Sequence, residues 1–337
     1  GLEEVRRWYF EVWNEPNLDS FWAGSQADYF NLYRTTVETI KEIDADLRVG
    51  GPATAKNEWI PEFLKFCARN NLPVDFVTTH HYPTDAFGAP GDDTETQLAK
   101  SERSVLRHQA QTAREQAGDK PLYYTEWNSS SNPRDKRHDL SFTAVFAVKT
   151  IMEAVGLVDA YSFWTFSDIF EENYMPSQPY HGGFGLLNLY GIPKPVYRAY
   201  QLLHRLGDEQ LDVQGQHPTV DAWAVRKNGR IDLLLTNFAL PQHPIQTETV
   251  ELRLQHAPSL TNVHMARIDE DHANPRRAWQ AMGAPMYLDD AQVADLEAAS
   301  EFCWEAVTAV GQGDELLVRL TIPPQGLTAV TLNSPNP

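Results

Sequence analysis

The sequence predicts an α/β protein built on parallel strands, followed by a smaller antiparallel β region. Three observations carry that prediction. Between residues 8 and 206, strand-like apolar runs alternate with helix-length stretches five times, the grammar of parallel strands joined by crossover helices. From about residue 211 the helices give way to strand following strand, with a hairpin signal at Asn228-Gly229. Two of the early strands end in a glutamate, at the rim where α/β barrels carry their catalytic groups.

The first strand is the run Trp8-Tyr9-Phe10-Glu11-Val12-Trp13, ended by Asn14-Glu15-Pro16, because proline cannot continue a sheet ladder. A loop at Asp19–Gly24 precedes a helix that Ser25 or Asp28 can cap. Its apolar positions (Tyr29, Leu32, Tyr33, Val37 and Ile40 among them) recur at helical spacing. Leu47–Pro52 is a short strand, Asn57–Asn70 a helix, and Val74–Pro83 the third strand. A loop with Gly88, Pro90 and Gly91 leads to one long polar helix at Thr94–Gly118. Pro121–Asn128 repeats the strand-then-glutamate pattern, with Glu126 before the polar loop Ser129–Pro133. An apolar helix at Leu140–Val155, a fifth strand at Asp159–Asp168 and a helix at Pro193–Leu206 complete this part. Beyond it, the runs 220–226, 231–237, 247–254, 262–268, 315–322 and 327–332 read as strands of an antiparallel sandwich. Asp269–Gln280 and Asp289–Ala299 read as irregular or weakly helical. The expected division is a catalytic part at 1–210 and an accessory β-sandwich at 211–337.

A chain of 337 residues with 42% hydrophobic residues can bury a sizeable core in two domains. A net charge of -18 and a pI of about 5.0 argue against nucleic acid and anionic membrane surfaces as partners. No apolar run is long enough to span a bilayer. Cys67 and Cys303 fall in different parts of the chain and make neither a disulfide framework nor a zinc motif. No cofactor or metal is expected. Gly1–Arg7 leads straight into a catalytic strand, so the expectation is that further chain, with any targeting segment, precedes it. The compartment and a possible homo-oligomeric state stay open.

The two strand-end glutamates are the chemistry. Facing each other across a sugar, one serves as acid/base and the other as nucleophile of a glycosidase. Asn14, beside Glu15, is placed to hydrogen-bond a sugar hydroxyl, or else serves only as a turn former. His80 and Tyr82 share one face of the third strand's end. Tyr82 is placed to donate to Glu126 and hold it ionised, and His80 to bind substrate. No third ligand stands at metal spacing along the sequence. Trp164 is a candidate floor for a sugar subsite. Glu171 and Glu172 either bind substrate hydroxyls or are a solvated acid pair. His181-Gly182-Gly183-Phe184-Gly185 reads as a flexible loop that can close a pocket.

The motifs Glu-Val-Trp-Asn-Glu-Pro-Asn-Leu (11–18), Tyr-Tyr-Thr-Glu-Trp-Asn-Ser (123–129), Trp-Thr-Phe-Ser-Asp-Ile-Phe-Glu-Glu (164–172) and His-Gly-Gly-Phe-Gly-Leu-Leu (181–187), followed by Gly191-Ile192-Pro193-Lys194-Pro195, resemble glycoside hydrolase family 39. The Asn-Glu-Pro motif belongs to a whole clan of barrel glycosidases, whereas the last two stretches are more particular to the family. The resemblance covers residues 5 to 207 and, more loosely, the β region. It implies a (β/α)8 TIM barrel of which strands four to eight are present, with the three preceding βα units outside this sequence. It also implies Glu15 as acid/base at the end of strand four and Glu126 as nucleophile at the end of strand seven. By the same resemblance His80, Tyr82, Trp164, Glu171 and Glu172 line a xylose subsite. The expected activity is that of a retaining exo-β-1,4-xylosidase releasing xylose from xylo-oligosaccharides or related β-glycosides. An α-L-iduronidase-like uronidase, disfavoured because Glu171 and Glu172 would repel a uronate, or another retaining barrel glycosidase is the alternative enzyme. An inactive carbohydrate-binding fragment is the non-enzyme alternative.

Overall fold

The computed structural model describes residues 1–85, 91–170, 176–256 and 262–333. They form two compact units, one of residues 1–131 and 153–164, the other of residues 132–152 and 165–337.

The first unit begins with a short helix α1 (Leu2–Val5) and then alternates as the sequence predicts: β1 (Tyr9–Glu11), α2 (Gln26–Ile43), β2 (Arg48–Thr54), α3 (Ile60–Arg69), β3 (Phe76–His81), α4 (Thr94–Lys100), α5 (Val105–Ala117), β4 (Leu122–Trp127) and β5 (Ala160–Tyr161). The strands pair in the order β1-β2-β3-β4-β5, every pair parallel. Ser25 and Asp28 both cap α2, in a reciprocal capping box. The long helix expected at 94–118 is two helices, because the Ser101 hydroxyl turns back to the Pro83 carbonyl at 2.7 Å and the chain restarts at Val105. α3 starts at Ile60 with Pro61 in its first turn, after a 3₁₀ turn at Ala55–Asn57. The fifth strand is far shorter than expected. Past Tyr161 the chain stays tied to β4 by the bonds from Ser162 N to Tyr124 O and from Trp164 N to Trp127 O.

The period of two along each strand sorts the faces. Val12, with Phe10 packed against its cluster, joins Tyr29, Phe30, Tyr33, Val37 and Phe63 on the helix-covered side of the sheet. Val77, Leu122 and Tyr124 pack with Ile60, Ala110 and Ala113 in the neighbouring cluster. The opposite face carries Tyr9, Phe76 and Tyr123, which meet ring to ring at 5.2–5.4 Å. Glu11 shares that face.

In the second unit, α6 (Ser141–Glu153, its last residue in the first unit) and α7 (Pro195–His204) precede the β region. There β6 (Glu209–Leu211), β7 (Val220–Lys227), β8 (Arg230–Asn237), β10 (Asn262–Ile268), β11 (Glu305–Ala306) and β14 (Gly326–Asn333) form one sheet. β9 (Glu248–Gln255), β12 (Ala309–Gln312) and β13 (Glu315–Ile322) form another. All their pairings are antiparallel. Leu233, Leu235, Val330 and Leu332 of the first sheet share one core with Leu316, Val318, Leu320 and Ile322 of the second. Asn274 and Asp289 cap two true helices, α8 (Pro275–Ala281) and α9 (Asp290–Ser300), where the sequence reads as irregular or weakly helical.

The second unit also holds a buried charge cluster. Lys194 Nζ lies 2.7 Å from both Asp139 Oδ1 and Asp168 Oδ2 and donates to Gly183 O at 2.9 Å. Burial opposes the ammonium, but the two carboxylates outweigh it and raise the Lys194 pKa. The aspartates also accept from Gly182 N and Gly185 N. A Cβ on Gly183 would stand 2.4 Å from Asp168 Oδ1, and one on Gly185 2.3 Å from Asp168 N. The loop expected to be flexible is therefore pinned at three points, and two of its glycines serve close approach rather than freedom.

Two stability outcomes follow. Lys194→Met strands two buried carboxylates and is expected to cost about 3–5 kcal/mol in urea unfolding. Gly50→Ala places a Cβ 2.4 Å from Phe76 O between β2 and β3, and is expected to cost at least about 1–3 kcal/mol in the same measurement.

Candidate active site

The turn after β1 presents the first carboxylate. Pairing with β2 continues past Glu11, through Val12 N to Gly50 O at 3.1 Å. Trp13 (φ 69°) and Glu15 (φ 45°) then take left-handed backbone conformations, a strain of about 1–3 kcal/mol each for such residues. The turn is held by Glu15 N to Ala53 O at 2.8 Å and by the Asn17 side chain, which accepts from Ala55 N and donates to Ala55 O and Glu58 Oε2. Glu15 is fixed with only 7% of its surface exposed.

β3 supplies His80. β4 supplies Glu126 through an irregularity. The β3–β4 register runs Thr79 to Tyr124 and then His80 to Glu126, skipping Thr125. A regular strand would send Glu126 to the helix side with Tyr124. The extra residue turns it back to the face of His80, the re-aiming that bulges perform. Thr125 reaches the same face: its hydroxyl donates to Glu11 Oε1 at 2.6 Å and lies 3.2 Å from His80 Nε2.

His80 Nδ1 lies 3.0 Å from Glu15 Oε1 and 3.6 Å from Glu126 Oε2. Tyr82 donates its hydroxyl to Glu126 Oε1 at 2.5 Å. Burial, then the Glu126 charge, pushes the Tyr82 pKa well above its ordinary value, so the phenol remains a donor. Burial disfavours a charged His80, but its bond to Glu15 and the charges of Glu126, Glu15 and Glu11 prevail and raise its pKa above the ordinary 6.5. Its neighbour His81 faces the other way, stacked on Tyr124 at 3.9 Å, and burial keeps it neutral with a pKa far below the ordinary value. One donor atom from each of Glu15, His80 and Glu126 lies within 4.8 Å of the others, the one such set among the described residues. The sequence spacing shows no third metal ligand. The fold brings three donors together that are far apart in the chain.

Glu15, His80, Tyr82 and Glu126 thus meet at one place. Asn14 is exposed on the same turn. Trp164 is half-buried, its backbone tied to β4 through Trp127 O and the Asn128 amide. Glu171 and Glu172 lie outside the described residues. The sequence reading missed Glu11 and Thr125. A signal for Glu11 exists, since it is the lone charge inside the run Trp8–Trp13. Thr125 carries none, because a bulge has no signature in an apolar strand.

A family model described as glycosyl hydrolases family 39 matches residues 1–315. The chain belongs to that family. A β-xylosidase of Caldicellulosiruptor saccharolyticus is 45% identical over 99% of this chain and 70% of its own length. A β-xylosidase of Geobacillus stearothermophilus is 37% identical over 89% of this chain and 60% of its own. The chain therefore spans 70% and 60% of these two curated relatives. Among solved structures, a monomeric β-xylosidase from Caulobacter crescentus CB15 superposes with a TM-score of 0.84 at 34% identity, covering 99% of this chain and 71% of that one. Among the described residues no helix is long and apolar enough to cross a membrane.

Tyr82→Phe removes the hydroxyl that favours the ionised Glu126. The Glu126 carboxyl is expected to hold its proton more readily, read by 13C NMR of labelled glutamate.

Proposed function

We propose that this family 39 chain carries the catalytic carboxylates of a retaining β-xylosidase, with Glu15 as acid/base and Glu126 as nucleophile. The observation that carries the assignment is the pair of strand-end carboxylates held within 4.8 Å by their nearer oxygens, on one histidine. Retaining glycosidases hold their carboxyls about 5–5.5 Å apart, and inverting ones about 6.5–9.5 Å, to admit a water. The β-xylosidase relatives at 45% and 37% identity favour a neutral pentose over a uronate. The five parallel strands read as strands four to eight of a (β/α)8 barrel. Residues 1–210 read as its catalytic portion and 211–337 as the accessory β-sandwich.

The reaction runs in two displacements. Glu126 attacks the anomeric carbon while the C1–O bond to the leaving group breaks, and the Glu15 proton goes to that oxygen. Water then attacks C1, its proton returns to Glu15, and the bond to Glu126 breaks to release xylose with its configuration retained. Tyr82 holds Glu126 as an anion for the first step. Asn14, Trp164, Glu171 and Glu172 are the further candidates for binding the sugar.

Glu126→Ala in the full-length protein is expected to abolish turnover of aryl β-xylosides, and azide to restore part of it as a glycosyl azide of inverted configuration. Near-normal activity in that variant would place the nucleophile elsewhere. Glu15→Ala is expected to depress hydrolysis of xylobiose far more than that of an activated aryl xyloside, whose leaving group needs no proton. Equal losses on both substrates would remove the acid/base assignment.

A further inference from the structure

We propose that Glu11 and Thr125 are positioning residues that dictate which nitrogen of His80 carries its hydrogen, and so keep a proton stationed on the Glu15–His80 pair. The inference rests on Glu15 being the general acid.

The hydroxyl of Thr125 has one hydrogen, and at 2.6 Å it is committed to the Glu11 carboxylate. Toward His80 Nε2, at 3.2 Å, Thr125 Oγ1 can only accept. Nε2 is therefore the protonated nitrogen in every state of the ring, an assignment fixed by the network. A neutral ring then leaves Nδ1 bare, and that atom faces Glu15 Oε1 at 3.0 Å and Glu126 Oε2 at 3.6 Å. A bare nitrogen against two carboxylates has only lone pairs to offer. One proton must sit between Nδ1 and Glu15, either as a carboxylic acid donating to the ring or as an imidazolium donating to the carboxylate. Glu15 is loaded in the first form. In the second, its proton is one 3.0 Å hydrogen bond away. Without the Glu11–Thr125 arm, a neutral His80 protonated at Nδ1 would satisfy an ionised Glu15, and the pair would hold one proton fewer.

The groups facing this pair are Glu11 from β1, Glu15 from the turn after it, Tyr82 and Asp85 from the turn after β3, and Glu126 from β4; Lys56, between β2 and α3, faces Asp85. Asp85 accepts from Tyr82 N, and its carboxyl is pushed up to about 6 by burial. Of these, only Glu11 reaches His80 through a hydroxyl on its Nε2 side.

The test is the pH dependence of kcat/KM in the full-length enzyme with two substrates, xylobiose and a dinitrophenyl xyloside. Thr125→Val deletes the acceptor. Glu11→Leu frees the Thr125 hydroxyl to donate to Nε2. Both variants are expected to move the basic limb for xylobiose down by about one pH unit, with the dinitrophenyl profile unmoved and Thr125→Ser restoring the limb. A basic limb that stays in place in folded variants, or equal losses on both substrates at every pH, overturns the proposal. A second readout needs no variant: 15N NMR of histidine-labelled wild-type enzyme should show Nε2 of His80 protonated throughout the titration, and an unprotonated Nε2 refutes the arm. Failure of the acid assignment is told apart by Glu15→Gln. If that variant loses equally on both substrates, the general-acid reading falls, and the Nε2 result still judges the arm.

Discussion

Two carboxylates within 4.8 Å of each other repel, and a glycosidase needs them in opposite protonation states. Most of the local structure around the site serves that inequality. Glu126 receives a phenol hydrogen from Tyr82, which favours its anion. Glu15 receives no such donor in the hydrogen bonds described above; it faces the Nδ1 of a histidine whose other nitrogen is already engaged. The asymmetry is made by who donates to whom rather than by depth alone, since the Glu15 and Glu126 side chains are similarly buried.

The backbone costs of the site make sense on the same terms. A left-handed Glu15 is poor local geometry, as is a left-handed Trp13 just before it. The turn is over-determined by Asn17 and the Ala53 carbonyl, which is how strained backbone persists. The bulge at Thr125 gives up one regular pairing position, and in return two consecutive residues, Thr125 and Glu126, reach the same side of the sheet. In a regular strand those two would lie on opposite faces.

The architecture was legible because it follows from coarse rules. Apolar runs broken by Pro16 and by polar loops mark strands, and helical spacing from Tyr29 to Ile40 marks a crossover helix. The change to strand following strand marks the antiparallel sheets. Boundaries were less legible where a single side chain decides them, as Ser101 does by hydrogen-bonding Pro83 and dividing one expected helix into two. Glycines misled for a definite reason. A Gly-Gly-Phe-Gly string signals either conformational freedom or room for a close neighbour, and the choice is made by Asp168, Lys194 and Asp139. Those three come together only through the fold.

The site shows the same split. Glu15, Glu126, His80 and Tyr82 could be read because each lies within a few residues of the C-terminal end of a parallel strand, where α/β sheets place their sites. Glu11 and Thr125 could not be read that way, because in the sequence they fall within apolar runs, where a polar residue normally just fills the alternating pattern. A period-two reading puts Tyr9 and Glu11 on one face and Phe10 and Val12 on the other. The structure agrees, with Val12 in the core beneath α2 and Glu11 opposite it. That alternation places a carboxylate, Glu11, on the face that also carries His80 and Glu126. It still leaves Thr125 unassigned. The contact between Glu11 and His80 runs through that residue, and only the skipped pairing between β3 and β4 brings it into line.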